Sequence, residues 1–431
     1  MFKNNKTKWQ IVAVGILLLI AGCDILKVGP ASPEKPEGPS SLNVNEQGTF
    51  YSFVSSGDVD SVSLKFDFGD GNKSEWSEFV PVGDTVYATH AWQESGTYYV
   101  RAQAKDKDGN TSEWSDALSV SVGSQSSDSF ALSQIGSFGK GGNVAISGNL
   151  LFVASKNNGL YIVDVTNPAN PVELSNYIPQ DANKVPYVMD VKVNGNYAYI
   201  TVTYLYSSNT ELEVLDIQNP SSPVSVGAYV DTSGHADFEK LYYDNGKCYV
   251  VGQYNTFRII DVSNPQVPNV MGGVVLNNSV GSDIYVENGY AYVAAREMGI
   301  QIIDVSNPQN PREVASLDFP SDIVGISKEG NYLYLAAEGD GLLAVDVSDM
   351  QNIRQVGAVT FGDYAEGLYT EGNYAYLACN TEGFYVVDIR NPSIPTIKAH
   401  LDTPNSAMDV VVSGNYAYVN DLNSVRIIKL H

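Results

Sequence analysis

Three groups of side chains in this sequence are spaced for chemistry. The first is a set of oxygen ligands: Asp190, Asp283 and Asp409 recur at one point of a repeated unit, with Asn143 at that point in another copy. Three carboxylates and an amide suit Ca2+, which takes hard oxygen ligands. An Asp at such a point also commonly caps a backbone turn. The second group is Asp181, Lys184, Tyr187, Tyr204, Tyr206, His235 and Asp237, in the stretches PQDANKVPY, TYLYSSNTE and DTSGHADFE. Rings, carboxylates and an imidazole brought together suit binding of a protein or a glycan. A glycan-active enzyme using Tyr204 or Tyr206, His235 and Asp237 is the alternative. The third is Cys23, whose thiol follows Ala21 and Gly22, small enough to let a peptidase approach the backbone.

Other catalytic patterns are missing from the sequence. There is no nucleophile elbow, no paired-His metal motif and no Ser-x-Asp-x-Gly-x-Thr-Trp box. Gly139-Lys140-Gly141-Gly142 lacks the spacing of a phosphate loop and reads as a turn. Asp106-Lys107-Asp108-Gly109-Asn110 opens like a calcium loop, but Ala117 stands where the bidentate acid belongs. It therefore reads as a solvated turn. All four tryptophans, Trp9, Trp76, Trp92 and Trp114, precede residue 129, so the repeats lack the strongest sugar-stacking residue.

Charge narrows the partners. The 431 residues carry a formal net charge of −24. Loss of residues 1–22 removes three Lys and no acid, leaving 22 basic against 49 acidic residues. Such a surface repels phosphate backbones, so nucleic acid is excluded as a partner. Cys248 and Cys379 lie in strand-like stretches three units apart and read as buried, unpaired thiols.

These groups sit on elements that the pattern of apolar and turn residues defines. Lys3, Lys6 and Lys8 precede the twelve-residue apolar run Ile11 to Gly22, too short to span a bilayer and typical of a secretory signal over 1–22. Residues 23–42 are rich in Pro, Gly and Ser and read as an extended tether. Over 43–122, short alternating runs such as Tyr98 to Ala102 and Leu118 to Val122 predict a small antiparallel sandwich. A linker, 123–128, follows.

Residues 129–431 repeat. A GNYAY-like hairpin occurs seven times, with its glycine at 148, 195, 246, 289, 330, 372 and 414. Downstream, an apolar pair precedes Asp164, Asp216, Asp261, Asp304, Asp346 and Asp388, and Lys429 takes the seventh place. Asn-Pro-x-x-Pro or a decayed form follows the first six. A period of about 42 residues accommodates four strands and their turns, the size of a propeller blade. Asn-Gly pairs suit tight hairpins. In Tyr197-Ala198-Tyr199 the bulky rings point one way and the small Ala198 the other.

The seventh unit lacks a fourth strand. The segment SFALSQIGSF, Ser129 to Phe138, matches the fourth-strand segments PVELSNYI and PVSVGAYV of later units. The chain therefore predicts an all-β protein: a sandwich followed by a seven-bladed propeller closed by its own N-terminal strand. Closure of that kind removes exposed edges.

Loop lengths select a face. From each strand-c Asp to the end of the Asn-Pro motif is seven residues in every copy. Across the b–c loop the spacing is 12 in blades 1, 3, 4, 5 and 6 but 17 in blade 2, from Tyr199 to Asp216. Across the d–a loop it runs 35, 33, 31, 30, 30, 30. The b–c and d–a loops share one face, called here the top. All variation falls there, at blades 1 to 3, where loops that touch a partner would be elaborated. Counting seven back from the hairpins places Asn143, Asp190, Lys240, Asp283, Gly325, Gly367 and Asp409 around the top of the central channel.

Three resemblances follow from these residues. Ile20-Ala21-Gly22-Cys23 resembles the lipobox of bacterial lipoproteins, which implies cleavage before Cys23, a diacylglyceryl group on its sulfur and a membrane as a partner through that lipid. Phe66-Asp67-Phe68-Gly69-Asp70-Gly71, His90-Ala91-Trp92 and Gly96 to Val100 resemble a PKD domain, with Phe66 and Trp92 where that family usually has Trp and Tyr. That implies an immunoglobulin-like spacer or adhesion module. Leu160-Tyr161-Ile162-Val163-Asp164 and its copies resemble the LVIVD repeat, which implies a β-propeller on a surface protein. The combined expectation is a lipid-anchored extracytoplasmic module that binds a protein or glycan through its top face.

Overall fold

The computed structural model describes residues 29–44, 46–57, 59–123, 130–180, 184–205, 209–234, 236–276 and 280–431. The chain forms two compact units, Met1–Asp128 and Ser129–His431. Every regular element among the described residues is a strand.

In the first unit, alternating residues of Ser61–Asp67 and Gly96–Lys105 turn Leu64, Phe66, Val100, Ala102 and Ala104 inward. These two strands pair antiparallel at the centre of a five-stranded sheet. Gln47–Ser52 and Val86–Ala91 form a second, two-stranded sheet. Trp92 plugs the space between, fully buried, its indole N–H donating to the Phe68 carbonyl at 3.1 Å. A buried Trp keeps its area gain only if that N–H is satisfied. The suspected calcium loop is a turn: Asp106 Oδ1 accepts the Asn110 backbone N–H and Oδ2 the Asn110 side-chain amide, both at 2.8 Å.

The tether boundary at residue 42 needs correction. Pro33 and Pro36 are buried. Glu34 N–H donates to the Phe53 carbonyl, Glu37 pairs with Tyr51, and Ser41–Asn43 lies parallel to Ser121–Gly123. Proline lacks the N–H that a sheet edge demands, but the intervening residues supply theirs, so a Pro-rich segment docks instead of hanging free.

The second unit is seven four-stranded antiparallel sheets. In blade 1 the strands run from the axis outward as a (Asn143–Ser147), b (Leu150–Ala154), c (Leu160–Asp164) and d (Val172–Tyr177). Blade 7 takes a, b and c from Asp409–Ser413, Tyr416–Asn420 and Val425–Leu430, and d from Leu132–Phe138 at the start of the repeats. The register runs from Val425 opposite Phe138 to Leu430 opposite Leu132. The segment expected to complete the seventh blade does so.

The hairpins take two forms. Asn245-Gly246 and Asn288-Gly289 are two-residue turns with both residues at positive φ, whereas Asn194 ends its strand opposite Tyr197 and in that copy only Gly195 takes positive φ, so the Asn194-Gly195 pair is not itself the turn. In every c–d loop the strand-c Asp accepts the backbone N–H two residues on, from Thr166 on Asp164 at 2.8 Å to Arg390 on Asp388 at 3.0 Å. The following Asn or Asp repeats the turn. Hydrogen bonds from Thr166 and Ser306 hold the Asp164 and Asp304 carboxyls below the usual carboxylate range. Ala198 packs with Phe152 and Leu160 of blade 1, while Tyr197 and Tyr199 pack toward Leu241 and Cys248 of blade 3. The pattern large–small–large is therefore an inter-blade joint. Cys248 and Cys379 are buried and unpaired, as expected, and burial pushes both thiols up.

Candidate functional site

The top of the propeller is built from the starts of the a strands and the loops that flank them. In blades 1, 2, 4 and 7 a side chain at the equivalent point of the a strand ties it to the next blade. Asn143 Nδ2 donates to the Met189 carbonyl at 2.7 Å, joining blades 1 and 2. Asp190 Oδ2 accepts the Leu241 N–H at 3.0 Å, joining blades 2 and 3. Asp283 Oδ2 accepts the Ile326 N–H and Oδ1 that of Ile284, both at 2.9 Å. Asp409 Oδ2 accepts the Val144 N–H at 2.9 Å, joining blade 7 to blade 1.

The three aspartates thus cap inner strands of neighbouring blades. Among the described residues, no three His, Cys, Asp or Glu side chains are grouped closely enough to hold a metal ion. Lys240 and Lys192 bring positive charge to this level, Lys192 Nζ lying 3.6 Å from Asp190. Burial alone would depress the Lys240 pKa, but Asp409, Asp190, Asp283 and Glu239 together raise it above the ordinary range. Of the two readings offered by the sequence, calcium ligands or caps on backbone groups, the described hydrogen bonds are those of caps. Burial still raises the Asp283 carboxyl, against the pull of Lys240 and the two N–H donors.

Above this ring lies a funnel of about 530 Å³. Its basic lining is Lys140, Lys156, Lys240 and Arg296, and its acidic lining Glu239, Asp283, Glu366 and Asp409. Lys156 and Arg296 occupy equivalent b–c loop positions in blades 1 and 4, both at positive φ. Each bonds reciprocally through its backbone to the next blade, Lys156 to Val188 and Arg296 to Ile323. Gly141 comes so close to blade 7 that a Cβ there would lie 2.2 Å from the Leu422 carbonyl oxygen. The GKGG segment is a close-packed turn, not a phosphate cradle.

A second depression, about 450 Å³, opens between blades 2 and 3 and shares Lys156, Met189 and Glu239 with the funnel. The two adjoin as one trough running outward from the axis. Tyr187, Tyr204 and Asp237 line it, so the structure brings three of the expected residues together. Lys184 joins them, its Nζ 4.8 Å over the Tyr204 ring. Asp181, Tyr206 and His235 lie outside the described residues, as does Cys23.

Tyr204 offers the trough little of its ring. It is 5% exposed, packs with the blade 1–2 core, and its hydroxyl donates to Glu211 at 3.1 Å. The accessible ring is Tyr254, 62% exposed at the tip of the blade 3 b–c loop, which the sequence reading missed. Its signal was available: it is a Tyr outside the large–small–large packing pattern, in a top-face loop next to the longest one. Asp237 has a further property. Burial, reinforced by Glu239, pushes its carboxyl up to about 6. Glu239 accepts a hydrogen bond from Gln253 Nε2 at 2.6 Å. A carboxyl group raised in this way beside a second carboxyl can exchange protons with a ligand.

Comparison with known proteins agrees with this architecture. The LVIVD repeat family matches at residues 138–178, 187–231, 247–275, 281–318, 323–360, 362–403 and 404–428, together more than half of the chain. The PKD domain family matches residues 35–118, which takes in most of the Pro-rich segment docked on the sandwich. No curated protein matches the chain. Among solved structures, the WD40 β-propeller domain of Doa1 is similar over 70% of this chain and 97% of its own, at 9% identity and a TM-score of 0.54. The computationally designed Ika8 protein is similar over 69% and 98%, at 8% identity and a TM-score of 0.51. At such identities the likeness is one of fold. Seven consecutive repeat matches on seven four-stranded blades establish that this chain belongs to the LVIVD-repeat family.

Proposed function

We propose that this protein is an extracytoplasmic adhesion or scaffold module, anchored by lipid on Cys23, whose propeller binds a protein or glycan through the top-face trough. PKD domains and LVIVD repeats are typical of extracellular proteins, and no helix among the described residues is long and apolar enough to cross a membrane. The observation that carries the reading is the coincidence of the lengthened segments with the trough. In blades 2 and 3 their described residues largely lengthen the strands Val185–Asn194, Tyr197–Leu205, Val224–Asp231 and Asp237–Asp244, at the place where Tyr187, Tyr254, Asp237 and Gln253 face one cavity. Rigid rings with adaptable polar neighbours are the usual makings of a recognition surface.

Tyr187→Ala with Tyr254→Ala tests this. The unmodified chain is expected to bind a component of the cell envelope fraction, and the double variant to bind it at least tenfold more weakly with an unchanged melting temperature. Equal binding by both would overturn the assignment of the trough. The anchor has its own test: Cys23→Ala should move the protein from the membrane to the soluble fraction.

A second reading is favoured by the raised carboxyl of Asp237 beside Glu239, since glycosidic cleavage uses a protonated acid and a carboxylate together. Release of reducing ends from a polysaccharide panel, abolished by Asp237→Asn, would replace the binding reading with this one.

A further inference from the structure

A second candidate surface lies on the sandwich. The segment Gly71-Asn72-Lys73-Ser74-Glu75-Trp76-Ser77 is repeated almost letter for letter as Gly109-Asn110-Thr111-Ser112-Glu113-Trp114-Ser115. In both copies the serines act as strand partners. Ser74 and Ser77 exchange backbone and hydroxyl hydrogen bonds with Phe66 and Leu64; Ser112 and Ser115 do so with Ala104 and Ala102. Each segment therefore runs along the outer edge of one of the two central strands. Each sends its indole back across their outward face. Trp76 lies 4.3 Å from Lys105 Nζ and 5.7 Å from Lys65 Nζ. Trp114 lies 4.8 Å from Lys73 Nζ and 5.5 Å from the Arg101 guanidinium.

Charge makes this face unusual. Residues 43–122 contain thirteen acidic side chains and only five basic ones. Four of those five, Lys65, Lys73, Arg101 and Lys105, gather on this one strip. Asp67 pairs with two of them, 3.4 Å from both Lys73 and Arg101; its side chain is 12% exposed, while those two cations are 44% and 42% exposed. The remaining tryptophan of residues 43–122, Trp92, is the core residue. Both indoles outside the core thus stand among cations on an acidic protein.

We propose that this face binds an acidic polysaccharide. Sugar rings pack their C–H faces on indole, and carboxylates pair with Lys and with the planar fork of Arg. The strip is about two strands, or ~10 Å, wide, which admits one extended chain. A membrane surface would also have to approach the acidic remainder of the domain, and like charges oppose that. This inference concerns the sandwich alone and stands apart from the trough of the propeller.

Tryptophan fluorescence reads the face directly, because the repeats contain no Trp. Full-length protein carrying Trp9→Phe, held in neutral detergent, is titrated with polygalacturonate, with dextran, and with micelles doped with phosphatidylglycerol. Polygalacturonate is expected to give a saturable change that weakens at least tenfold between 50 and 500 mM salt, and dextran none. Lys73→Gln with Lys105→Gln should weaken binding at least tenfold, and Tyr254→Ala should leave it unchanged. The salt series needs no variant, so it decides even if the double substitution unfolds the domain. No response to polygalacturonate, a salt-insensitive response, or a response to the doped micelles in its place would overturn the proposal.

Discussion

Asp237 is ionised at neutral pH against its surroundings. An unfolded Asp titrates near 4, and the folded carboxyl near 6. Over that window the folded state holds a proton that the unfolded state has lost, so stability falls as pH rises from about 4 to 6 and stays lowered above it. Asp237→Asn should therefore raise the melting temperature at pH 8 and leave it unchanged at pH 4. A rise of the same size at both would show that the gain has nothing to do with the charge. Lys240 is the opposite case, a half-buried cation facing Asp190, Asp283 and Asp409, with Lys192 as a second cation 3.6 Å from Asp190. Lys240→Met should destabilise by about 2 kcal/mol, less than the cost of stripping a fully buried charge of its one partner, because Lys192 remains. Denaturant unfolding measures it, and a neutral result would mean that solvent already balances those carboxylates.

The repeated c–d loop is the element that sets the bottom face. Its Asp closes a turn on the residue two positions on, and in blades 4 and 5 also pairs with an Arg on strand d: Asp304 with Arg312 at 3.1 Å and Asp346 with Arg354 at 2.9 Å. Replacing Asp346 with Ala should cost about 1 kcal/mol, as loss of a side-chain cap on backbone N–H groups generally does. These carboxyls are held below their ordinary value, so their contribution is complete above the unfolded pKa and is lost as pH falls through the folded one. The difference between Asp346→Ala and the parent should shrink below about pH 4. The hairpins, the Asx turns and the large–small–large joints were all legible in the sequence, because each is made by residues within a few positions of one another. The docking of Pro33 to Asn43 was not, since Glu34 and Glu37 bond to Phe53 and Tyr51 and Ser41–Asn43 pairs with an edge more than seventy residues later, contacts that no local pattern records.

At the scale of the molecule, the strand Leu132–Phe138 decides whether the propeller has an open edge. It covers Val425–Leu430, and its Gly136 admits the next blade: a Cβ there would lie 2.1 Å from the Pro168 carbonyl oxygen. Deleting residues 129–138 should leave a bare strand edge and produce aggregation with a lower melting temperature. Gly136→Val should lower the melting temperature without removing the strand. Light scattering and thermal unfolding separate the two effects. A deletion variant that stayed monomeric and equally stable would show that closure contributes little.

The repeat period, the number of blades, the completing strand and the face with variable loops were all determined by the sequence alone. They follow from local periodicity, turn chemistry and counting, which act over a few residues and recur seven times. The tertiary structure decided what converges. It set Lys240 among three aspartates that the sequence offered either as calcium ligands or as turn caps, buried Tyr204, exposed Tyr254, and laid two indoles among four cations. Those outcomes rest on contacts between distant parts of the chain, such as the hydrogen bond from Val144 to Asp409 across 265 positions. No local rule records which side chains a closed ring or a folded sheet will bring together.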